Sequence, residues 1–439
     1  MFNDWRLIYK HTGSKILGDA SIRMQSMVAF ILFRRWFMTD FSSEFDRRNF
    51  LRGLSGGALA GVVGMPMAAH AASPDLPKQP VAINVMDVGG ALALIQPAFE
   101  DYKNTRGQYV SRIGFIKAPA PELASKLKVQ QAAGRLDIDL VLTGSDGLAS
   151  GLEQDLWLKI LPEHDVKFPN LEANYEPAAL RLHKVQGRGF GVVCNYYPSG
   201  PLIEYAPERV KNVPTTAEEL LAWAKANPNR FMYARPANSG PGRTFMMGLP
   251  YLLKDKDPAD PVAGWEKTWA YLQELGKYVE YYPTGTGATM KEFGEGSRDI
   301  IITTTGWDIN PRALGIVPKS AAIGTLKGFH WVSDAFFMCI PKGISNDRLA
   351  VTLDVMAHIL KPEMQAISYD EGYLYPGPAV KNVPLSLAPK RSQDVIREFG
   401  RPEYASLIAN NPIELPLDTT KMVVAFRMWD QMVGAKRAK

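Results

Sequence analysis

The sequence predicts an α/β protein built as two lobes, each a mixed, mainly parallel sheet flanked by helices. Three observations predict it. Short apolar runs alternate with helically spaced ones from Val81 to Leu142. The same alternation recurs from Phe231 to Thr303. Such alternation makes parallel sheets covered by helices. Two further β-rich runs, Phe190–Asn195 and Ala335–Ile340, bracket the second set and are placed to cross between the lobes and back.

The elements follow in order. Val81–Met86 is a buried strand and Asp87–Gly90 its turn. Ala91, Leu94, Ile95, Ala98, Phe99 and Tyr102 then recur at helical spacing. Tyr109–Ile116 is a strand, Pro121–Ala133 a helix closed by Gly134, and Asp137–Leu142 a strand ending at Thr143–Gly147. Thr215, Thr216, Glu218 and Glu219 form a capping box that opens a helix through Ala226. Phe231–Arg235 is a strand that runs through a glycine-rich turn into a helix ending at Leu253. Ala263–Tyr278 is a helix with Trp265, Trp269 and Leu272 on one face. Val279–Tyr282 is expected as a strand, Thr284–Gly287 as the opening of a helix, and Asp299–Thr303 as a buried strand ending at Gly306-Trp307-Asp308. Asn346–Met432 reads as mostly helical and is expected to pack on both lobes.

Of the 439 residues 46% are hydrophobic and 22% charged, which excludes disordered, collagen-like and coiled-coil proteins. The formal charge of +5 is concentrated at the front. Residues 1–71 carry 9 Lys and Arg against 5 Asp and Glu, leaving 41 against 40 for the rest. A near-neutral body has no electrostatic footprint for nucleic acid. Arg47-Arg48, with Phe50-Leu51 behind them, precede an apolar, Gly/Ala-rich run from Gly53 to Ala69 that ends in the small-x-small pattern Ala69-His70-Ala71. That order makes a secretory signal and resembles a twin-arginine export signal. The run is too short and too glycine-rich for the roughly 20 apolar residues of a membrane span. Arg34-Arg35-Trp36-Phe37 is a weaker match, and Met38 an alternative start. The reading divides the chain into a leader (1–71), a first-lobe segment (72–192), a second lobe (193–333), and a return strand with C-terminal helices (334–439). It places the protein in the periplasm.

Five segments then fall in a recognisable order: Leu123–Leu142 with Gly-x-x-Asp-Ile-Asp, Gly189–Tyr197, Pro214–Leu221, Ala237–Phe245, and Phe293–Ile302 with Phe-Gly-Glu-Gly-x-x-Asp-Ile. Over about Val81 to Ala366 the chain resembles the periplasmic solute-binding proteins of ABC importers, in the cluster of iron, polyamine, thiamine and phosphonate binders. The resemblance implies a type II periplasmic-binding-protein fold joined by crossing hinge strands. It implies a monomer that closes on a small solute and hands it to permease and ATPase subunits, with no cofactor and no chemistry. Ferric-binding relatives use paired tyrosinates, so Tyr196-Tyr197 and Tyr281-Tyr282 leave a ferric site as an alternative. Adjacent residues of a strand point to opposite faces, however. An exported hydrolase is the other alternative. The one Gly-x-Ser-x-Gly pattern, at Gly53–Gly57, lies inside the leader.

Ligands of open α/β sheets sit off the carboxyl ends of the strands. Candidates at such ends are Asp87 and Gly90, Ser145 and Asp146, and Trp307 with Asp308. Asn238, Ser239, Gly240, Arg243 and Thr244 form a glycine-rich turn into a helix, whose free N–H groups suit an anion. Arg243 adds a fork for carboxylate or phosphonate. Thr284 and Thr286 repeat that logic, and Asp334 precedes the return strand. Asp87 and Asp146 suit an ammonium group, or are turn and cap residues. An anionic or zwitterionic solute is favoured, with a polyamine open. Cys194 and Cys339 lie in the two crossing strands, as a hinge disulfide or as two small buried apolar groups.

Overall fold

The computed structural model describes residues 73–118 and 120–435. The paired arginines, the apolar run and the cleavage pattern of the leader lie outside the described residues. Among those described, no helix is long and apolar enough to cross a membrane.

The first lobe opens with β1 (Val81–Val88), α1 (Ala91–Thr105), β2 (Val110–Lys117), α2 (Ala120–Ala132), β3 (Leu140–Thr143) and α3 (Ser145–Glu153). The helical spacing read from α1 is its buried face, with Leu94, Ile95, Ala98 and Phe99 fully covered. β1 pairs with β2 and β3 in parallel, so α1 and α2 are crossover helices. Two short helices, α4 (Leu171–Asn174) and α5 (Pro177–Leu182), lead into the long strand β4 (Gly191–Gly200). β4 is buried along its whole length because it runs between the lobes. Beyond Pro201 the chain continues as β5 (Leu202–Tyr205) in a different sheet.

The second lobe contains α6 (Ala217–Ala226), β6 (Phe231–Met232), α7 (Gly240–Leu252), α8 (Glu266–Leu275), α9 (Thr286–Gly294), β7 (Ile300–Thr303), α10 (Thr305–Ala313) and β8 (Ala322–Gly324). Its sheet has the order β6-β7-β5-β8, with β6 and β7 parallel and the other pairings antiparallel. The capping box at α6 forms as the sequence requires: Thr216 Oγ1 accepts from the Glu219 amide at 3.1 Å, and a Glu219 carboxylate oxygen accepts from the Thr215 amide at 2.8 Å. Val279–Tyr282 is not a strand. It runs beside the outer edge of β6, where the Asn229 amide donates to the Tyr278 carbonyl and the Arg235 amide to the Pro283 carbonyl, but no ladder forms, and Val279 and Tyr282 are each buried in the lobe's core.

β9 (Trp331–Cys339) returns to the first lobe, pairing antiparallel with β4 and β3. The tail supplies α11 (Asn346–Ile359), α12 (Pro362–Gln365), β10 (Gly377–Pro378), α13 (Lys390–Phe399), α14 (Glu403–Asn410), β11 (Ile413–Glu414) and α15 (Thr419–Trp429). The first sheet then reads β10-β4-β9-β3-β1-β2, with β11 on the far end of β9. α15 packs on α3 of the first lobe. Its Met422, Ala425 and Trp429 enter the core of the second, where Trp429 Nε1 donates to Tyr233 at 3.1 Å.

Register decides the cysteines. Cys339 lies opposite Gly191, while Cys194 Sγ reaches the Phe336 carbonyl at 3.5 Å. The crossing strands run side by side, but the two thiols sit three positions apart along the ladder and are free and buried. Of the two readings of these cysteines, the pair of small buried groups is the one found. Denatured but unreduced protein should take up two iodoacetamide groups by mass spectrometry; uptake of none before reduction would show a bridge.

Candidate functional site

A cavity of about 120 Å³ lies between the lobes, against the hinge strands. The first lobe contributes Gly89 after β1, and Gly144 and Asp146 after β3. The second contributes Asn238, Ser239, Gly240 and Arg243 at the start of α7, Thr286 at the start of α9, and Trp307 in the first turn of α10. Tyr197 on β4 and Asp334, Ala335 and Phe336 on β9 form the back wall. Helix N-termini of both lobes thus face one small space. Their unpaired amides and dipoles make it attractive to negative charge. Pockets of about 360 and 820 Å³ open elsewhere, but both are lined by first-lobe segments alone.

The side chains around the cavity are already partly matched. Arg243 projects from α7 and is buried. It donates to Asp334 on β9, and its other terminal nitrogen lies 3.9 Å from Asp146 of α3. One guanidinium thus links the second lobe, the hinge and the first lobe. Burial opposes its charge, but Asp334 and Asp146 outweigh burial and raise its pKa. Asp334 also accepts from Tyr197 at 3.1 Å, and Ser145 Oγ lies 3.3 Å from its carboxylate. Burial, then Asp334, holds the Tyr197 phenol well above its ordinary pKa, so it stays a donor. Asp146 has a single short bond, accepting from the Gly147 amide at 2.9 Å, and its side chain is 23% exposed. Ser239 Oγ meets Thr286 Oγ1 at 2.8 Å and caps α7 by accepting from the Gly242 amide. Formally the cavity holds two carboxylates and one guanidinium, against the partial positive ends of the helices.

Several expected contacts are corrected. Asp87 accepts from the Gly90 and Leu92 amides, each at 3.2 Å, and so caps the turn into α1 instead of facing the cavity. Burial raises its pKa, opposed by those amides. Gly90 serves that same turn with φ of 96°. Ser145 lies behind the wall, donating to Gln186 at 2.8 Å. Thr244 is buried and donates to the Pro241 carbonyl at 3.1 Å. Thr284 is exposed before the start of α9. Asp308 points the other way along α10, into a buried cluster with Arg312, Arg401 and Tyr404 at 2.7–3.1 Å. The fully buried Glu204 joins that cluster; burial, then Asp308, raises its pKa. The tyrosine pairs do not converge. Tyr282 sits in the aromatic core with Tyr233 and Trp429, while Tyr281 is exposed and bonded to Glu292. Among the described residues no group of three or more His, Cys, Asp or Glu is placed to hold a metal.

The sequence reading missed Tyr373 and Leu374, which the tail brings to the cavity. Tyr373 meets Trp307 edge-on, with ring centroids 5.5 Å apart. Their segment is wound unusually, with positive φ at Asp370, Glu371, Gly372 and Leu374. It fits because α10 has Gly306, where a Cβ would stand 2.2 Å from Leu374 Cα. Left-handed non-glycine residues cluster at ligand sites. That signal is invisible in a sequence whose local residues, Ser-Tyr-Asp-Glu-Gly-Tyr-Leu-Tyr, read as an ordinary turn.

The family described as bacterial extracellular solute-binding protein matches residues 98–396. No curated protein matches the chain by sequence. Among solved structures, the spermidine/putrescine ABC transporter substrate-binding protein PotD of Streptococcus pneumoniae matches with a TM-score of 0.53 and 16% identity, over 79% of this chain and 99% of that one. The fructose-6-phosphate-bound periplasmic binding protein AfuA of Actinobacillus pleuropneumoniae matches at 0.58 and 13%, over 80% and 98%. Iron-bound HitA of Pseudomonas aeruginosa matches at 0.53 and 16%, over 79% and 99%. At these identities the three share the fold, two lobes joined by crossing strands.

Asp370, beside Tyr373, supplies a test of this wall. Burial, then Glu371, pushes its carboxyl up to about 6 from 3.8. The folded state therefore holds a proton that the unfolded chain releases, and stability falls as pH rises from about 4 to 6. Asp370→Asn should be more stable than the parent by about 1–3 kcal/mol at pH 7.5 and equal to it below pH 4 in urea unfolding. A gain independent of pH would contradict the assignment.

Proposed function

Because this chain belongs to the family of bacterial extracellular solute-binding proteins, we propose that it traps a compact polar solute between its lobes and delivers it to the permease of an ABC importer. The observation that carries the proposal is the cavity itself. Both lobes and both hinge strands line it, so only a closed form assembles it, and opening at the hinge takes it apart. Hinge closure around a ligand is a known mode of lobe motion. The closed shape then tells the importer that the site is filled. The protein acts by binding alone and works in the periplasm, reached through the twin-arginine leader at residues 46–71. The solved relatives include proteins named for a polyamine, a sugar phosphate and iron, so the fold leaves the solute open.

The charges narrow it. A purely anionic solute gains little from Arg243, whose fork is committed to Asp334 and Asp146. The helix amides remain as donors for an anionic group, and Asp146 remains as an acceptor. A zwitterion satisfies both: its ammonium faces Asp146 and its acidic group faces the starts of α7 and α9. Trp307, Tyr373 and Phe336 cover its apolar part. Burial among such walls, with a few aimed polar groups, is how small-molecule sites gain affinity.

A thermal-shift screen of amino acids, polyamines, phosphonates, thiamine and ferric salts tests the reading, because a ligand specific for the native state raises the melting temperature. The expected hit is a zwitterion. Calorimetry should then show Asp146→Asn weakening it by about 1.5–3 kcal/mol, the range for charged hydrogen bonds. Asp87→Asn should change its affinity little. Equal loss in the two variants, or a hit that is turned over, would overturn the proposal.

A further inference from the structure

We infer that the first lobe carries a second pocket, remote from the cleft, that takes a small soluble organic anion with an apolar body. It lies at the opposite end of α1 from the cavity. That helix runs from the turn at Gly89–Gly90 to Arg106, roughly 22 Å at the α-helical rise. The pocket has a volume of about 360 Å³. Its apolar side is made by Phe168, Leu171 and Val380, all buried.

Three cations from three separate segments converge on it: Arg106 after α1, Lys167 at the end of a short 3-10 helix before α4, and Lys361 after α11. Arg106 and Lys167 make no side-chain hydrogen bond or ion pair among the described residues. Among the described residues the Lys361 ammonium's one hydrogen bond is to His358 Nδ1, at 3.2 Å. The acids nearby are already used. Asp354 accepts from the Tyr102 hydroxyl at 2.7 Å, and Asp101 faces His358 Nε2 at 2.9 Å. With Lys361 donating to Nδ1, His358 keeps its proton on Nε2 and stays neutral; burial, then Lys361, lowers its pKa.

The lining therefore carries three positive charges against the one carboxylate of Asp354. Cations near helix C-termini ordinarily answer the terminal carbonyls. Arg106 makes no such bond, and Lys167 follows no long helix. Unpaired cations beside a buried apolar floor are what a carboxylate or sulfonate on an aliphatic or aromatic body would engage. None of these residues lines the inter-lobe cavity, so the inference stands apart from the reading of that site.

Calorimetry with 4-phenylbutyrate and its neutral analogue 4-phenyl-1-butanol tests it. The acid should bind one saturable site, and the alcohol at least tenfold more weakly. Arg106→Glu with Lys167→Glu should cost the acid tenfold or more in affinity, while Asn238→Asp, which puts an exposed carboxylate at the cleft, should bind it unchanged. Should the double variant unfold, Lys167→Gln alone should weaken the acid two- to fivefold with an unchanged melting temperature. Equal binding of acid and alcohol, undiminished binding by the charge-reversed or Lys167→Gln protein, or weakened binding by Asn238→Asp would overturn the pocket.

Discussion

The arrangement depends on one buried ion pair, Arg243 with Asp334. A guanidinium removed from water is untenable alone, and breaking a buried pair by deleting one partner costs about 3–5 kcal/mol. Asp334 belongs to the strand that returns between the lobes, and Arg243 to the first turn of α7 in the second lobe. Their pairing fixes the angle at which α7 meets the hinge. It also leaves the guanidinium close enough to Asp146 for the first lobe to share its charge only when the lobes are together. The contact at 3.9 Å is weaker than that to Asp334, as suits a contact that must form and release.

Around that pair the rest of the fold is a mounting. The parallel strands of each lobe end at the cleft, and the helices that follow them start there. This geometry delivers free amides to the cavity without spending side chains on it. β4 and β9 pair along nearly their full length within the first sheet, and the chain enters the second lobe's sheet just beyond β4, at Leu202. α15 then packs on both lobes, α3 on one side and the Trp429 core on the other, and must slide or release if they part.

Local features were legible in the sequence where local physics decides them. The period-3.6 face of α1, the capping reciprocity of Thr215, Thr216 and Glu219, and the buried runs Leu140–Thr143 and Ile300–Thr303 all follow from residues within one turn or one strand of each other. So does the turn at Asn238–Arg243. Partners distant in sequence were not legible. Asp308 looked like a cleft residue because it follows a strand, but Arg312 on the same helix and then Arg401 and Tyr404, more than ninety residues later, draw it away. The committed state of Arg243 needed Asp334, and the aromatic wall needed Tyr373 from the tail. The cysteines needed a register that no composition encodes. Val279–Tyr282 has strand-forming residues and lies beside β6, but it is bonded to that segment through Tyr278 and Pro283 without forming a ladder, a case of context overriding propensity.

On the proposed function, a solute draws the lobes together across Arg243 and Asp146. Spin labels on Val129→Cys in the first lobe and Val262→Cys in the second, both highly exposed, report the separation directly while the buried native thiols stay unlabelled. Pulsed dipolar spectroscopy should give a longer or broader distance distribution without solute and one shorter, narrow distance at saturation. Asp146→Asn should shift that change to higher solute concentration. A distance that is the same with and without saturating solute would contradict the account.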